Sequence, residues 1–539
     1  MPQKKAVAKK KTQSREKAKE REQTDFSFNL LTEPWLPVIS LKKEKQFLNL
    51  NEFLKNAHTL ERFDFPLPGL ETAVIRFLVA LVHIVGAPET LKEWEEKLSK
   101  GKFEEGFIKE LNAKYSDKLD LFSKKDPFMQ EANLAKSEEG IDGVDRLISF
   151  FPYATNQIHW NHKFAEQSVN LTAISCASAV SLLLFSHSTM MAGGAGYKPG
   201  INGVPPLMIL LKGTNLYNSI FLNVLNGNFV NSLFDQKYLG KNTSAFPIFK
   251  KGEISSEKIN LQMGLLWKSR DLLLMPERSE EFSCSLSGRK SNILIKNVIF
   301  NPQSIFTKKD SFWHDPTIIK IDAGSKGIKK MTTQNRDLPA WKEYPSLINT
   351  KGRNGNKRIF FPPLVIQQLS TIQPIRKRPK GNIMIFSLAT DNKAKIFEIS
   401  ENEYFFNPTF IDNEDSIKAI EGFVNSVEQF QWKLQSALKI AYKIRPGSNI
   451  RPPSFEAAYW HEIGSNFEEA LERLSIEDDI NLIQNSWNEL LANHVWKTFY
   501  KHTEKLILNP KNLKQYQAGN QFLEKQIQNV LLKHKRKAK

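Results

Sequence analysis

Asn413-Glu-Asp-Ser-Ile-Lys-Ala-Ile-Glu-Gly-Phe-Val-Asn-Ser-Val-Glu-Gln-Phe430 opens a region where apolar residues return every three or four positions. Ile417, Ile420, Val424, Val427, Phe430, Leu434, Leu438 and Ala441 fall on one helical stripe, which predicts a long amphipathic helix over 414–444. The same period predicts helices over 455–474, 479–507 and 512–534. The connections are short and carry Pro446, Pro452, Pro453 and Pro510, so neighbours run antiparallel. Residues 411–539 therefore read as a four-helix bundle.

Upstream the texture differs. Residues 1–25 are lysine- and arginine-rich with almost no apolar content, a composition that cannot repay chain entropy, and read as a disordered basic tail. Residues 26–410 read as one mixed α/β domain. Trp35–Leu41 and Gln46–Leu50 pair about a turn at 42–45, and Asn51 is placed to cap a short helix. Ala73–Val85 is an apolar helix, followed by amphipathic helices near 90–99 and 103–115. Thr214 is placed to cap a helix to Asn226, with Gly227 as its stop. From about 240 to 410, β-branched runs (Ile293–Ile295, Val298–Phe300, Thr317–Ile321) alternate with Pro-, Gly- and Lys-rich loops. The fold class expected is α+β, a large mixed N-terminal domain with an irregular β region, then the bundle.

At 539 residues the chain has length for roughly three to four domains by size alone. A net charge of +18 points to polyanionic partners, nucleic acid before an acidic membrane surface. Cys176 and Cys284 are the two cysteines, too few for a disulfide framework or a Cys-x-x-Cys zinc site, so a cytoplasmic location and no cofactor are expected. No signal peptide is visible. Ser168–Met191 is apolar but interrupted by serines and His187, which fits a helix buried in protein better than one in lipid.

Five stretches are candidates for function. Met191-Ala-Gly-Gly-Ala-Gly-Tyr-Lys-Pro-Gly-Ile-Asn-Gly-Val-Pro-Pro206 is either a tight connection or a bare backbone surface pressed against a ligand; it lacks the Gly-Lys-Ser/Thr of a phosphate-binding loop. Ile383–Thr390 and Ala394–Ser400 flank Asp391-Asn-Lys393 and predict a hairpin with Asn392 and Lys393 at its tip. Lys351–Arg358 and Arg376–Lys380 are basic loops suited to phosphate. Ala154–His162 gathers Asn156, His159, Trp160, Asn161 and His162, either a nucleic-acid contact or a solvated loop with one anchoring Trp. A bare loop fits the minor groove, where base edges are degenerate, and a hairpin tip can wedge between base pairs.

Asn29-Leu-Leu-Thr-Glu-Pro-Trp-Leu-Pro-Val38 resembles the opening signature of the CasA family, the large subunit of the type I-E CRISPR Cascade surveillance complex. Asp126-Pro-Phe-Met-Gln130, Ala154-Thr-Asn156, Gly194-Ala-Gly-Tyr-Lys-Pro-Gly200, Gly213–Leu225 and Gly264-Leu-Leu-Trp267 follow in the family's order over roughly 26–535. The resemblance implies a non-catalytic reader of the protospacer-adjacent motif that starts duplex opening for guide RNA pairing. It implies as partners a guide CRISPR RNA, target double-stranded DNA, backbone, 5′-end cap and small subunits, and a helicase–nuclease in trans, with no membrane. By position it places the loop at Gly194, Ala195 and Gly196, the reading asparagine at Asn392 and the wedge at Lys393 and Ala394. Lys198 is a phosphate contact on charge grounds, and Asn156, His159, Trp160 and Asn161 are RNA or subunit contacts. The family's reading lysine falls near Gln303, with Lys308 the nearest cation. Some members carry two Cys-x-x-Cys pairs; here Ser175, Ser178 and Ser287 stand at cysteine positions, so no zinc is expected.

Two other function classes stay open from the residues alone. His314-Asp315 matches a metal-nuclease dipeptide, although Trp313 and Pro316 beside it suggest a packed turn. A structural RNA-binding scaffold predicts equal affinity for any DNA and a steep salt slope.

Overall fold

A computed structural model describes residues 26–136, 140–148, 171–190, 196–198, 200–204, 206–233, 246–308, 313–331, 339–355, 358–390, 396–445, 452, 454–476 and 479–537. The basic tail, the loop at 154–162, Gly194, Ala195 and the hairpin tip at 391–395 lie outside these residues. The chain forms two compact units, one spanning Met1–Ile318, Lys329–Thr332 and Phe386–Asn402, the other Ile319–Ile328, Thr333–Ile385 and Glu403–Lys539.

In the first unit, β1 (Leu36–Ser40) lies between β2 (Lys45–Leu48) and β3 (Leu60–Phe63), antiparallel to both. Helix α1 (Leu50–Asn56) is capped by Asn49, not Asn51. Asn49 accepts from the Glu52 amide while the Glu52 carboxylate accepts from the Asn49 amide, a reciprocal pairing that Asn51 is two residues too late to make. Next come α2 (Leu70–Gly86), α3 (Leu91–Lys100) and α4 (Glu105–Tyr115). Helix α2 is buried on every side rather than on one stripe, which its near-continuous apolar sequence permits.

Strands β4 (Ile141–Gly143) and β5 (Ile174–Ser175) pair with β9 (Lys290–Asn301), which also pairs along its length with β8 (Asp271–Ser283). The two β-branched runs at 293–300 thus belong to one strand. Helix α5 (Cys176–Thr189) follows β5 and is buried, as its serine-interrupted apolar sequence predicts. Strand β6 (Met208–Lys212) then leads to α6 (Leu216–Phe221) and α7 (Gly227–Leu233). The single helix expected from 214 to 226 is broken. Asn215 caps it, and Asn223 turns back to bond both the amide and the carbonyl of Leu211; Gly227 begins the next helix instead of ending this one. Strands β7 (Gly252–Ile254) and β10 (Ile305–Thr307) pair in parallel, with α8 (Leu261–Leu265) between them in sequence.

Strands β11 (Lys320–Asp322), β12 (Ile328–Lys330), β13 (Arg353–Gly355) and β14 (Arg358–Phe361) form a sheet in the order β12-β11-β14-β13. The basic segment at 351–358 is therefore partly strand. The second basic segment, after α9 (Leu364–Ser370), is not wholly a phosphate-facing loop either. Arg378 is buried and its guanidinium donates to the carbonyls of Ser370, Pro408 and Ile411 at 2.9–3.1 Å, leaving Arg376, Lys377 and Lys380 exposed.

Strands β15 (Gly381–Thr390) and β16 (Ile396–Phe406) are sheet neighbours in the order β16-β15-β6. Ser387 meets Ser400 at 2.8 Å and Asn382 donates to Glu403 at 2.7 Å, so the pair runs antiparallel, as the predicted hairpin requires. Helices α10 (Glu414–Ala441), α11 (Glu456–Leu474), α12 (Ile480–Ile507) and α13 (Pro510–Lys537) follow and pack on one another. Trp487 donates to the Phe423 carbonyl at 3.0 Å and Tyr459 to that of Val427 at 3.2 Å, so these two aromatics bury with their polar atoms paired. Trp341 stacks on Phe467 at 4.5 Å at the base of the same core.

Candidate nucleic-acid interface

The glycine-rich loop is held from below at both limbs. Gly196 has φ +85° and Gly203 φ +71°, conformations that side chains with a Cβ rarely adopt. Between them Lys198 is exposed, its ammonium 5.4 Å from the Phe306 ring centroid. Its backbone is clamped: the Lys198 amide donates to Gln303 Oε1 at 3.3 Å, and Arg270 Nη1 donates to the Lys198 carbonyl at 2.8 Å. Arg270 also reaches Gln303 Oε1 at 3.1 Å and lies 5.2 Å from the Tyr197 ring centroid. Burial pulls the Arg270 guanidinium down to about 10, so it stays charged at neutral pH.

The second limb rests on a buried polar chain. Asp315 takes a two-point bond from Arg76 at 2.8 Å each, and accepts from Asn202 at 2.7 Å and from the Thr317 amide at 2.9 Å. Lys330 donates to Asn202 Oδ1 at 2.6 Å and to the Ile201 carbonyl at 3.1 Å. Burial would raise the Asp315 carboxyl, but the Arg76 charge and these donors hold it at about 2. Burial pulls the Lys330 ammonium down to about 8, against the attraction of Asp315.

His187 completes the platform. Its Nδ1 accepts from the Ser269 amide at 3.0 Å and its Nε2 faces the Met129 carbonyl at 2.8 Å, which fixes the neutral tautomer with the proton on Nε2. Ser269 in turn lies against Gly200, where a Cβ would stand 2.8 Å from its hydroxyl. The loop and the platform fit with no room for a side chain at that position.

A family model described as CRISPR-associated protein Cse1 matches residues 29–498. This chain belongs to the Cse1 family. The CasA/Cse1 protein of Thermus thermophilus is 28% identical over 208 residues, 37% of this chain and 39% of that relative, so the alignment spans about two fifths of its length. The Cse1 structure from Acidimicrobium ferrooxidans superposes with a TM-score of 0.70 at 17% identity, over 95% of this chain and all of that one. Thermobifida fusca Cse1 gives 0.70 at 18% identity, over 94% and 98% of the two chains. A chain of a CRISPR RNA-guided surveillance complex gives 0.66 at 17%, over 93% and 100%. The Cse1 fold is shared throughout, a mixed body followed by a helical C-terminal region.

Set against this Cse1 fold, the residues singled out by sequence separate into groups. Gly196 and Lys198 are exposed on the clamped loop, and Lys308 is exposed just past β10. Gln303 does not face solvent; it is buried beneath the loop, where its oxygen is taken by Lys198 and Arg270. Gly194, Ala195, Asn392, Lys393, Ala394, Asn156, His159, Trp160 and Asn161 lie outside the described residues. The His314-Asp315 dipeptide is a packed turn, with both Asp315 oxygens committed to Arg76, Thr317 and Asn202. Sequence reading missed Arg76 and Arg270. Arg76 does carry a signal, a lone charge embedded in the apolar run Val74-Ile-Arg-Phe77, whereas Arg270 sits beside Lys268 and Asp271 and carries none.

The positions named for absent cysteines do converge. Cys284 Sγ meets Ser178 Oγ at 3.2 Å and the Ser175 amide at 3.4 Å, and Ser178 Oγ reaches Ser287 Oγ at 3.4 Å. Burial would raise the Cys284 thiol, yet hydrogen bonds from Ser178 and Ser287 bring it to about 7. A single sulfur ligand with three neutral hydroxyls is still a poor donor set for zinc, which takes several thiolates or imidazoles.

Proposed function

We propose that this chain is the non-catalytic large subunit of a type I-E CRISPR RNA-guided surveillance complex. It reads a short motif beside the target in double-stranded DNA and starts strand separation; a helicase–nuclease in trans cuts. The observation that carries this is the combination of Cse1 membership with a glycine loop whose exposed Gly196 and Lys198 sit on a hydrogen-bonded polar platform. Binding a narrow groove with bare main chain demands such preorganisation, since a floppy loop would lose its gain to ordering entropy.

In this assignment Gly194, Ala195 and Gly196 approach the minor groove, Lys198 and Lys308 meet phosphate, and Asn392 reads a base edge while Lys393 and Ala394 wedge. Gln303 acts indirectly, by placing Lys198. Asn156, His159, Trp160 and Asn161 serve RNA or subunit contact. The partners are guide RNA, backbone, 5′-end cap and small subunits in the cytoplasm. Among the described residues no single helix is long and apolar enough to cross a membrane.

The test assembles the complex from this chain, its neighbouring gene products and guide RNA, then measures binding to matched duplexes with and without the flanking motif. Changing Gly194→Ala together with Asn392→Ala should erase the preference. Discrimination that survived the double change would remove these residues from the site.

A further inference from the structure

Two charged residues, the buried Arg76 and the half-buried Glu401, tie the loop and the hairpin to the same helix. Glu401 on β16 accepts from the Thr72 hydroxyl at 2.7 Å and the Thr72 amide at 3.3 Å. Gly69, at the N-cap of α2, supplies no capping side chain, so the Glu401 carboxylate, 329 residues from Thr72, closes that helix end. Phe386 on β15 fills the space beside Gly69, where a Cβ would stand 2.5 Å from its ring, and packs edge-on against Phe185 of α5 at 6.1 Å. Both hairpin strands are therefore keyed to the first turn of α2. One turn later Arg76 grips Asp315, which holds Asn202 in the glycine loop. Glu71, in the same first turn, pairs with Lys212 at the end of β6, the strand that leaves the loop. Thr72 and Arg76 are four residues apart, on one face of the helix.

We propose that α2 is a ruler: one helical turn, from Thr72 to Arg76, sets the spacing between the glycine loop and the β15–β16 hairpin, with Glu401, Thr72 and Arg76 as positioning residues. The purpose of that spacing rests on the DNA-reading assignment above; the mechanical link does not. β16 is the outer strand of its sheet and is held to β6 only through β15, so the Glu401 anchor is where its placement is most easily loosened.

The experiment uses the full chain in the assembled complex. Nitroxide labels at Lys198→Cys and Lys393→Cys report the spacing by pulsed electron resonance, since Cys176 and Cys284 are buried, while motif discrimination is read on unlabelled complexes that keep Lys198 and Lys393. Glu401→Leu should broaden the distance distribution and cut motif discrimination about tenfold, a loss of roughly 1.4 kcal/mol. Glu401→Gln keeps an oxygen facing Thr72 and should leave both unchanged. Should Glu401→Leu fail to fold, Thr72→Val, which removes only the hydroxyl, takes its place and should broaden the distribution less. Equal widths in the wild type and in the folded Leu or Val variant would overturn the ruler. Broadening with discrimination intact would overturn its role in reading DNA. A wild-type complex with no motif preference but the expected widths would sink the functional assignment while supporting the ruler.

Discussion

Asp315 and His187 show how single buried groups set the conditions under which the loop platform survives. Replacing Asp315 by Asn leaves Arg76 buried without its counter-charge and should cost about 3–5 kcal/mol in a denaturant titration. A paired Arg76→Met, Asp315→Leu change should cost less than the single change, because no uncompensated charge remains. The Asp315 carboxyl is held at about 2 against an ordinary 3.8, so its contribution is whole above pH 4 and is lost as pH falls through 2. His187 acts earlier. Burial, with Lys268 and Arg270 nearby, lowers the imidazole to about 3 from an ordinary 6.5, so the unfolded chain gains a proton that the fold refuses. Stability should therefore fall by roughly 2 kcal/mol per such histidine between pH 7 and pH 5. Melting His187→Gln across that range should show a shallower acid decline than the wild type.

The elements carry the next level of explanation. Gly264 in α8 lies where a Cβ would stand 2.0 Å from the Trp313 ring, so Gly264→Ala should destabilise by about 1–3 kcal/mol and shift the melting temperature downward. Gly200→Ala meets the softer Ser269 hydroxyl. It should displace the loop and weaken DNA binding while moving the melting point little, a split that binding and melting curves on one variant will show. The long helices were legible in sequence because their apolar period runs over many turns; α10 and α12 begin within a residue of where that period places them. Short elements were less so. The Asn49 cap and the break after α6 depend on single side chains, Glu52 and Asn223, choosing backbone partners that period counting does not see. The loop was visible as a glycine cluster, but its support was not. Arg270, Gln303, Asp315 and Lys330 come from distant segments that only the folded topology unites.

Across the whole molecule, charge and architecture act together. A chain at +18 will bind any polyanion weakly, so affinity alone says little about reading. Binding of the assembled complex to duplex DNA should fall steeply with salt, and Lys198→Ala or Lys308→Ala should each lower the slope of log affinity against log salt by about one. Motif preference should respond instead to the glycine positions and to Asn392.

The knot at Ser175, Ser178, Cys284 and Ser287 fastens the start of α5 to the end of the β8–β9 hairpin by hydrogen bonds alone. A fastening of that kind draws on no trace element. Chelating agents should leave its melting behaviour untouched, and a cell starved of transition metals would still be able to fold this corner of the protein.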